Sequence, residues 1–182
     1  MAELDLQADE ALAAAAARGD AAAFETLVRR HERVVRAFLA RLAPGGGRSD
    51  DLAQETFLTA WSKAASFSGT GRYRGWLMRI AWSTFLKDLR QRGRRLPAYS
   101  GTGGIPELAD RGDVERDLIV EDALSRLSEA DRAAVVLCLV LGHSHSEAAE
   151  ILDMPLGTLK TRVARGSAKL LQLLGDDDDS DA

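Results

Sequence analysis

The chain has 182 residues, 46% of them apolar and 29% charged, with a formal net charge of -4. That length supports one substantial core or two small ones, and no stretch approaches the ~18 consecutive apolar residues of a membrane span, so no membrane insertion is expected. Cys138 is the only cysteine, which excludes an internal disulfide and a thiolate metal cluster; its place in the run AAVVLCLVL reads as a core thiol.

The first residues, MAELDLQADEALAAAAARGD, are acidic and carry neither a basic n-region nor a Leu-rich segment. No secretory signal is expected, and a cytoplasmic location follows. From Asp20, a plausible N-cap, Phe24, Leu27, Val28, Val34, Val35, Phe38, Leu39 and Leu42 keep the three-and-four spacing of one buried helical face until PGGG at 44–47. The next helix is DDLAQETFLTAW (50–61), with cap candidates at Ser49 to Asp51 and with Phe57 and Trp61 four apart on an inward face. A glycine-broken loop, SFSGTGRYRG, precedes a third helix from about Trp76 to Gln91 that turns Leu77, Ile80, Ala81, Phe85 and Leu89 inward.

Residues 92–113, RGRRLPAYSGTGGIPELADRGD, mix Gly, Pro and charge without an apolar period, and read as a linker between independently packed units. Beyond it, Val114 to Leu127 and Glu129 to Leu141 are apolar at helical spacing, and Gly142 stops the second. SHSE (144–147) matches a capping box for a short helix ending near Leu152. After DMPLG a last helix turns Leu159, Val163, Leu170 and Leu174 inward and Lys160, Arg162, Arg165 and Lys169 outward. A short helix, a tight turn and a longer basic helix form a helix-turn-helix pattern.

The charge is unevenly placed. Residues 1–92 hold 14 Lys and Arg against 11 Asp and Glu, while DDDDSDA at 176–182 holds five acids alone. The segments KDLRQRGRR (87–95) and GTLKTRVARGSAKLLQLLG (157–175) are strongly basic, giving two basic faces and an acidic tail that reads as a solubilising end. Four cations free of acids suit a helix lying in a major groove, with Thr158 and Thr161 adding hydroxyl contacts near its N-terminal half. Arg79, Ser83, Lys87 and Arg90 line one face of the third helix, beside Phe67, Tyr73 and Trp76. Cations next to aromatics suit unstacked bases, although aromatics at such spacing equally serve a core.

Other chemistry has no pattern here. PGGGRSDD lacks the Gly-Lys-Ser/Thr ending of a P-loop, GTGG follows no expected strand, and no carboxylate pair is tied to a histidine or metal pattern. His143 and His145 alternate by two, which does not put both rings on one helical face, so they read as cap-flanking surface groups. No enzyme, cofactor or metal is expected.

On AARGDAAAFETLVRRHERVVRAFLARL, DDLAQETFLTAWSKAASFSGTGRYRGWLMRIA and LSRLSEADRAAVVLCLVLGHSHSEAAEILDMPLGTLKTRVARGSAKL, the chain resembles the sigma factors of bacterial RNA polymerase, in the small two-domain extracytoplasmic-function group, over nearly its whole length. The resemblance implies an all-α fold: a three- to four-helix region-two domain at 1–92, a flexible linker at 93–113, a helix-turn-helix region-four domain at 114–175 and an acidic tail at 176–182. It implies a transcription initiation factor that binds core polymerase through Asp51, Leu52, Gln54 and Glu55. Phe67, Arg72, Arg74, Arg79, Ser83, Lys87 and Arg90 would meet the minus-ten element, whose flipped base is captured at Phe67 and the GTGRYRG loop. Thr158, Lys160, Thr161, Arg162, Arg165 and Lys169 would meet the minus-thirty-five element. An anti-sigma protein is a further implied partner. Ser83 and Lys87 stand where members often carry Asn and Asp, and His143 and His145 where Leu and Tyr are common. Two other readings compete: a stand-alone helix-turn-helix repressor and a sigma mimic that sequesters an anti-sigma protein.

Overall fold

The computed structural model describes residues 2–44, 46–68, 72–94 and 114–178. Helix α1 (Ala2–Ala17) precedes Gly19, whose φ of +92° lies in the region that glycine occupies without strain. Asp20 then caps α2 (Ala21–Leu42), its Oδ1 accepting the N–H groups of Ala22 and Ala23 at 3.0 Å each. This satisfies two donors that a helix start leaves without partners. The targeting reading of the first twenty residues assigns no helix there; α1 buries Ala13 and Ala16 and packs against α2.

Helix α3 spans Gly46–Ser62 and begins ahead of the expected caps, so Ser49 and Asp50 lie inside it. Its first turn is tied down from outside: Arg48 donates to Asp88 Oδ2 through Nε at 3.0 Å and Nη2 at 2.6 Å. A short 3-10 turn (Ala64–Ser66) leads toward α4 (Tyr73–Arg94). Helix α4 therefore takes in residues 93 and 94 of the expected linker, and 95–113 lie outside the described residues.

Helices α5 (Val114–Ser125) and α6 (Glu129–Val135) follow, the second capped by Ser128. The continuous helix expected from Glu129 to Leu141 gives way to a π-helical turn at Val136–Val140, where the Leu141 N–H reaches the Val136 carbonyl at 2.9 Å. The wider turn changes the helical phase and leaves Leu139 and Val140 exposed. Cys138, expected as a core thiol, is half-buried against the core, and burial raises its thiol pKa. Helix α7 (His145–Ile151) starts with the expected capping box: Ser144 Oγ accepts the Glu147 N–H, and Glu147 Oε2 accepts the Ser144 N–H at 2.9 Å. Asp153, at φ +51°, makes the turn into α8 (Leu156–Asp178). The tail beyond Asp178 lies outside the described residues.

Phe38, Leu27, Leu39, Leu77 and Phe85 fill the core of α1 to α4, and Leu137, Ile151 and Leu159 that of α5 to α8. Each such side chain contributes ~1.5–3 kcal/mol by leaving water. Gly166 lets α8 lie against α6, because a Cβ there would sit 2.6 Å from Val135 Cγ2. The two helical groups, expected to pack independently, share one apolar cluster, with α2 against α5 and α6 and α4 against α7. At this junction the buried Arg132 donates to the carbonyls of Leu124, Ser125 and Leu127 in its own group and of Leu42 in the other. Its guanidinium thereby gains the partners that burial of a charge demands. Among the described residues no helix is long and apolar enough to cross a membrane.

Candidate polymerase and nucleic-acid interfaces

The acidic edge of α3 is partly free and partly engaged. Asp51 and Gln54 are exposed, while Asp50 binds Arg36 of α2 and Glu55 Oε1 accepts from Lys87 Nζ at 2.7 Å. Leu52 is buried in the core; as an apolar side chain facing inward, it packs α3 and presents nothing to a partner. Beside the edge runs a groove of about 440 Å³ between α2 and α3, lined by Val28, Arg36, Asp51, Gln54 and Leu58. Trp61 packs on Phe24 at 5.0 Å between ring centroids yet remains 37% exposed, so it is a groove wall as well as an anchor. Phe57 is half-buried.

Phe67, Tyr73 and Trp76 form a triad with every pair of centroids 5.5 Å apart. Tyr73 is buried beneath, and burial, followed by the Asp9 charge, raises its phenol pKa. The other two rings are half-exposed and line a cavity of about 670 Å³. Residues 69–71 of the adjoining loop lie outside the described residues.

The opposite wall of that cavity belongs to the second helical group. Arg72 Nη1 donates to Glu147 Oε1 at 3.0 Å, Arg74 Nη2 to the Leu141 carbonyl at 3.3 Å and Arg79 Nε to the Glu150 carbonyl at 3.0 Å. Three expected minus-ten cations are thus joined to the helix-turn-helix half. Burial lowers the pKa of Arg74, whose Nε is buried without a partner, as is Nε2 of His143. His143 is lowered first by burial and next by the Arg74 charge, which keeps its ring neutral at pH 7. It is half-buried at the junction, where a surface group was expected. His145 is exposed. Ser83, Lys87 and Arg90 continue along the exposed face of α4.

On α8, Thr158, Lys160 and Thr161 are exposed, and the Thr161 hydroxyl donates back to the Gly157 carbonyl at 3.0 Å. Arg162 and Arg165 share the buried Asp131 of α6. Arg165 Nη2 lies 2.6 and 2.8 Å from its two oxygens and Nε 3.0 Å from Oδ2, while Arg162 Nη1 lies 3.1 Å from Oδ1. Burial alone would raise the Asp131 pKa, but hydrogen bonds from Arg165, Ser128 and Arg162 outweigh it and bring it below the ordinary value. Lys169 Nζ donates to the Arg126 carbonyl at 2.6 Å. The basic face is therefore braced from beneath by a carboxylate that cation counting passed over. Its signal was its position, three residues after the Ser128 cap and on the face of α6 that α8 covers. Among the described residues, no group of three or more His, Cys, Asp or Glu side chains could hold a metal.

The two helical groups match known proteins in turn. The profile of Sigma-70 region 2 matches residues 27–95, and that of Sigma-70, region 4 matches 117–170. The RNA polymerase sigma factor NccH of Alcaligenes xylosoxydans xylosoxydans is 34% identical over 180 residues, covering 93% of this chain and 96% of the relative. The ECF RNA polymerase sigma factor SigM of Mycobacterium tuberculosis is 38% identical over 171 residues, covering 93% and 86%. Among solved structures, the sigma factor RpoE bound to the anti-sigma factor NepR from Bartonella quintana aligns with a TM-score of 0.74 at 28% identity, over 84% of this chain and 96% of that one. CnrH, in complex with the cytosolic domain of CnrY, aligns with a TM-score of 0.70 at 28% identity over 96% and 99%.

Proposed function

Because the chain belongs to the sigma-70 family of RNA polymerase sigma factors, in its extracytoplasmic-function group, we propose that its basic and acidic surfaces divide the work of promoter selection between the two helical groups. The protein is a transcription initiation factor: it binds core RNA polymerase and directs it to promoter DNA. Polymerase makes the bonds, and this chain contributes binding and orientation in the cytoplasm, beside the chromosome. The observation that carries this reading is the pair of region matches in chain order, each spanning a helical group that carries a basic face exposed in part.

On this reading residues 1–92 serve core polymerase and the minus-ten element, and residues 114–175 the minus-thirty-five element. Asp51, Gln54 and Glu55 offer carboxylates and an amide to a basic partner helix, which favours orientation and encounter rate. Arg72, Arg74 and Arg79 must leave their present acceptors to reach DNA. Phosphate oxygens favour that exchange at Arg74 and Arg79, since a charged acceptor binds a guanidinium more strongly than a neutral carbonyl does, while Arg72 exchanges the Glu147 carboxylate for another anion. Phe67 and Trp76 then face an extruded base, whose stacking offsets the cost of taking it out of the duplex. Ser83, Lys87 and Arg90 continue the strand path. Thr158, Lys160 and Thr161 reach base edges or phosphates of the duplex, with Arg162, Arg165 and Lys169 behind them.

RpoE was captured with the anti-sigma factor NepR and CnrH with the cytosolic domain of CnrY, and an inhibitor of the first kind fits a chain whose DNA-facing arginines already rest against its second half. Run-off transcription with purified core polymerase tests the function, comparing the natural chain with a Gln54→Ala/Glu55→Ala variant on a pool of genomic promoters. Product that the double variant fails to give establishes the factor and returns its promoter. Core binding without product favours a sigma mimic, and no core binding favours a repressor.

A further inference from the structure

We infer that Asp9 and His31, acting through Tyr73, hold the Phe67 and Trp76 rings in the arrangement that receives the extruded base, which makes α1 a positioning element for promoter opening. The inference rests on the reading of the aromatic triad as the base-capture site. It begins with a pair of groups that the family surfaces leave out. Asp9 and His31 are both 7% exposed, deep between α1 and α2. Asp9 Oδ2 lies 2.8 Å from His31 Nε2, and Asp9 Oδ1 accepts from Arg30 Nη1 at 2.9 Å. An ionised carboxylate only accepts hydrogen bonds, so the proton of this bond sits on His31 Nε2 and the ring is fixed at that edge.

The His31 ring meets Tyr73, with centroids 5.4 Å apart and planes at 48°. Tyr73, 3% exposed, is edge-on to Phe67 at 85° and tilted to Trp76 at 40°. It is the floor on which the two cavity-lining rings rest. Helix α1 also packs on the 3-10 turn Ala64–Ser66, directly before Phe67, and on α4, which carries Tyr73 and Trp76. Both supports of the triad therefore lead to the same helix.

Volume alone does not account for this pair. Apolar residues at 9 and 31 could fill the space without desolvating a carboxylate, and such replacements of buried ionic groups are often neutral or stabilising. A hydrogen bond supplies direction, which apolar packing supplies only weakly. Aromatic pairs have preferred tilts, so fixing the first ring constrains the next. The chain Asp9, His31, Tyr73, Phe67 transmits an angle from a buried carboxylate to the surface where a base would stack.

The test uses holoenzyme reconstituted from full-length chain and core polymerase, on a promoter recovered by run-off transcription. 2-Aminopurine is placed in turn at each non-template position of the minus-ten element, and its fluorescence reports stacking. Asp9→Ala should weaken capture at one position about tenfold, with core binding and helix content retained, and Asp9→Asn, which keeps an acceptor for His31, should restore most of it. In a Tyr73→Leu background, Asp9→Ala should add nothing to the capture defect while still lowering thermal stability. Independent, multiplying effects of the two substitutions on capture would overturn the positioning role and leave Asp9 a packing residue. Phe67→Ala serves as the separate control: if it changes no position, the base-capture reading fails and the inference falls with it.

Discussion

Arg72, Arg74 and Arg79 find their acceptors on the opposite helical group, whereas Arg162 and Arg165 find theirs on Asp131 within their own. In the first case the bond would be lost if the groups separated, and the cations would then be free to follow a flexible strand. In the second the bond survives separation, so two guanidiniums stay fixed to the helix that would enter a duplex. A single strand asks for adaptable contacts and a major groove for pre-set ones. The two surfaces differ in that sense although their residue types are nearly the same.

The strongest challenge to the comparison is Arg132→Met, which keeps volume but strips four carbonyls of their donor. We expect a loss of ~3 kcal/mol in urea denaturation followed by helix signal. A single transition supports a shared core, whereas two separate ones would break the comparison by making the groups independent.

Asp131→Asn addresses the internal brace, with an expected loss of ~2 kcal/mol from its charge-assisted bonds. The Asp131 pKa is depressed on folding below its ordinary 3.8, so its contribution is fully present above about that pH and disappears as pH falls through the lower folded value. Acid titration of stability should therefore lose part of its slope in this variant below pH 4, while near neutrality the slope is unchanged and the full loss of ~2 kcal/mol is seen. The binding of duplex minus-thirty-five DNA by the variant should also become less sequence-selective.

Glu147→Gln addresses the bond across the groups. Glutamine keeps the capping box, while the partly exposed pair with Arg72 contributes only ~0.2–1 kcal/mol. Single-stranded minus-ten DNA should then bind the free chain up to about fivefold more tightly, in an anisotropy titration at low salt. Equal or weaker binding would mean that Arg72 is not restrained by this bond. Lys87→Met should have the smallest effect on stability, ~0.5 kcal/mol or less for its exposed pair with Glu55, but should lower the salt dependence of DNA binding by about one phosphate contact.

Much of the fold was legible in the residue pattern. Asp20, the Ser144 capping box and the inward stripe of α4 follow from local chemistry, because caps and periodicity depend on residues within a turn or two. The start of α3 was not, since Gly46 and Gly47 argue for a break and the helix is held there by Arg48 reaching Asp88, forty residues away. The π-helical turn also escaped, because VVLCLVL is apolar throughout and carries no phase information. At the candidate site, cation spacing named Arg162 and Arg165 but not Asp131 beneath them, and read Trp61 as an anchor when its outer face remains open. Long-range partners decide those outcomes, and no window along the chain contains them.

Glu147 illustrates how one side chain can belong to a permanent structure and a temporary one. Its Oε2 receives the backbone N–H and hydroxyl of Ser144, both at 2.9 Å, and Oε1 receives Arg72. When Arg72 departs, Oε1 is left to water while Oε2 keeps the first turn of α7 wound. The catch is built into the cap of α7, so Arg72 could leave and return with nothing to rewind.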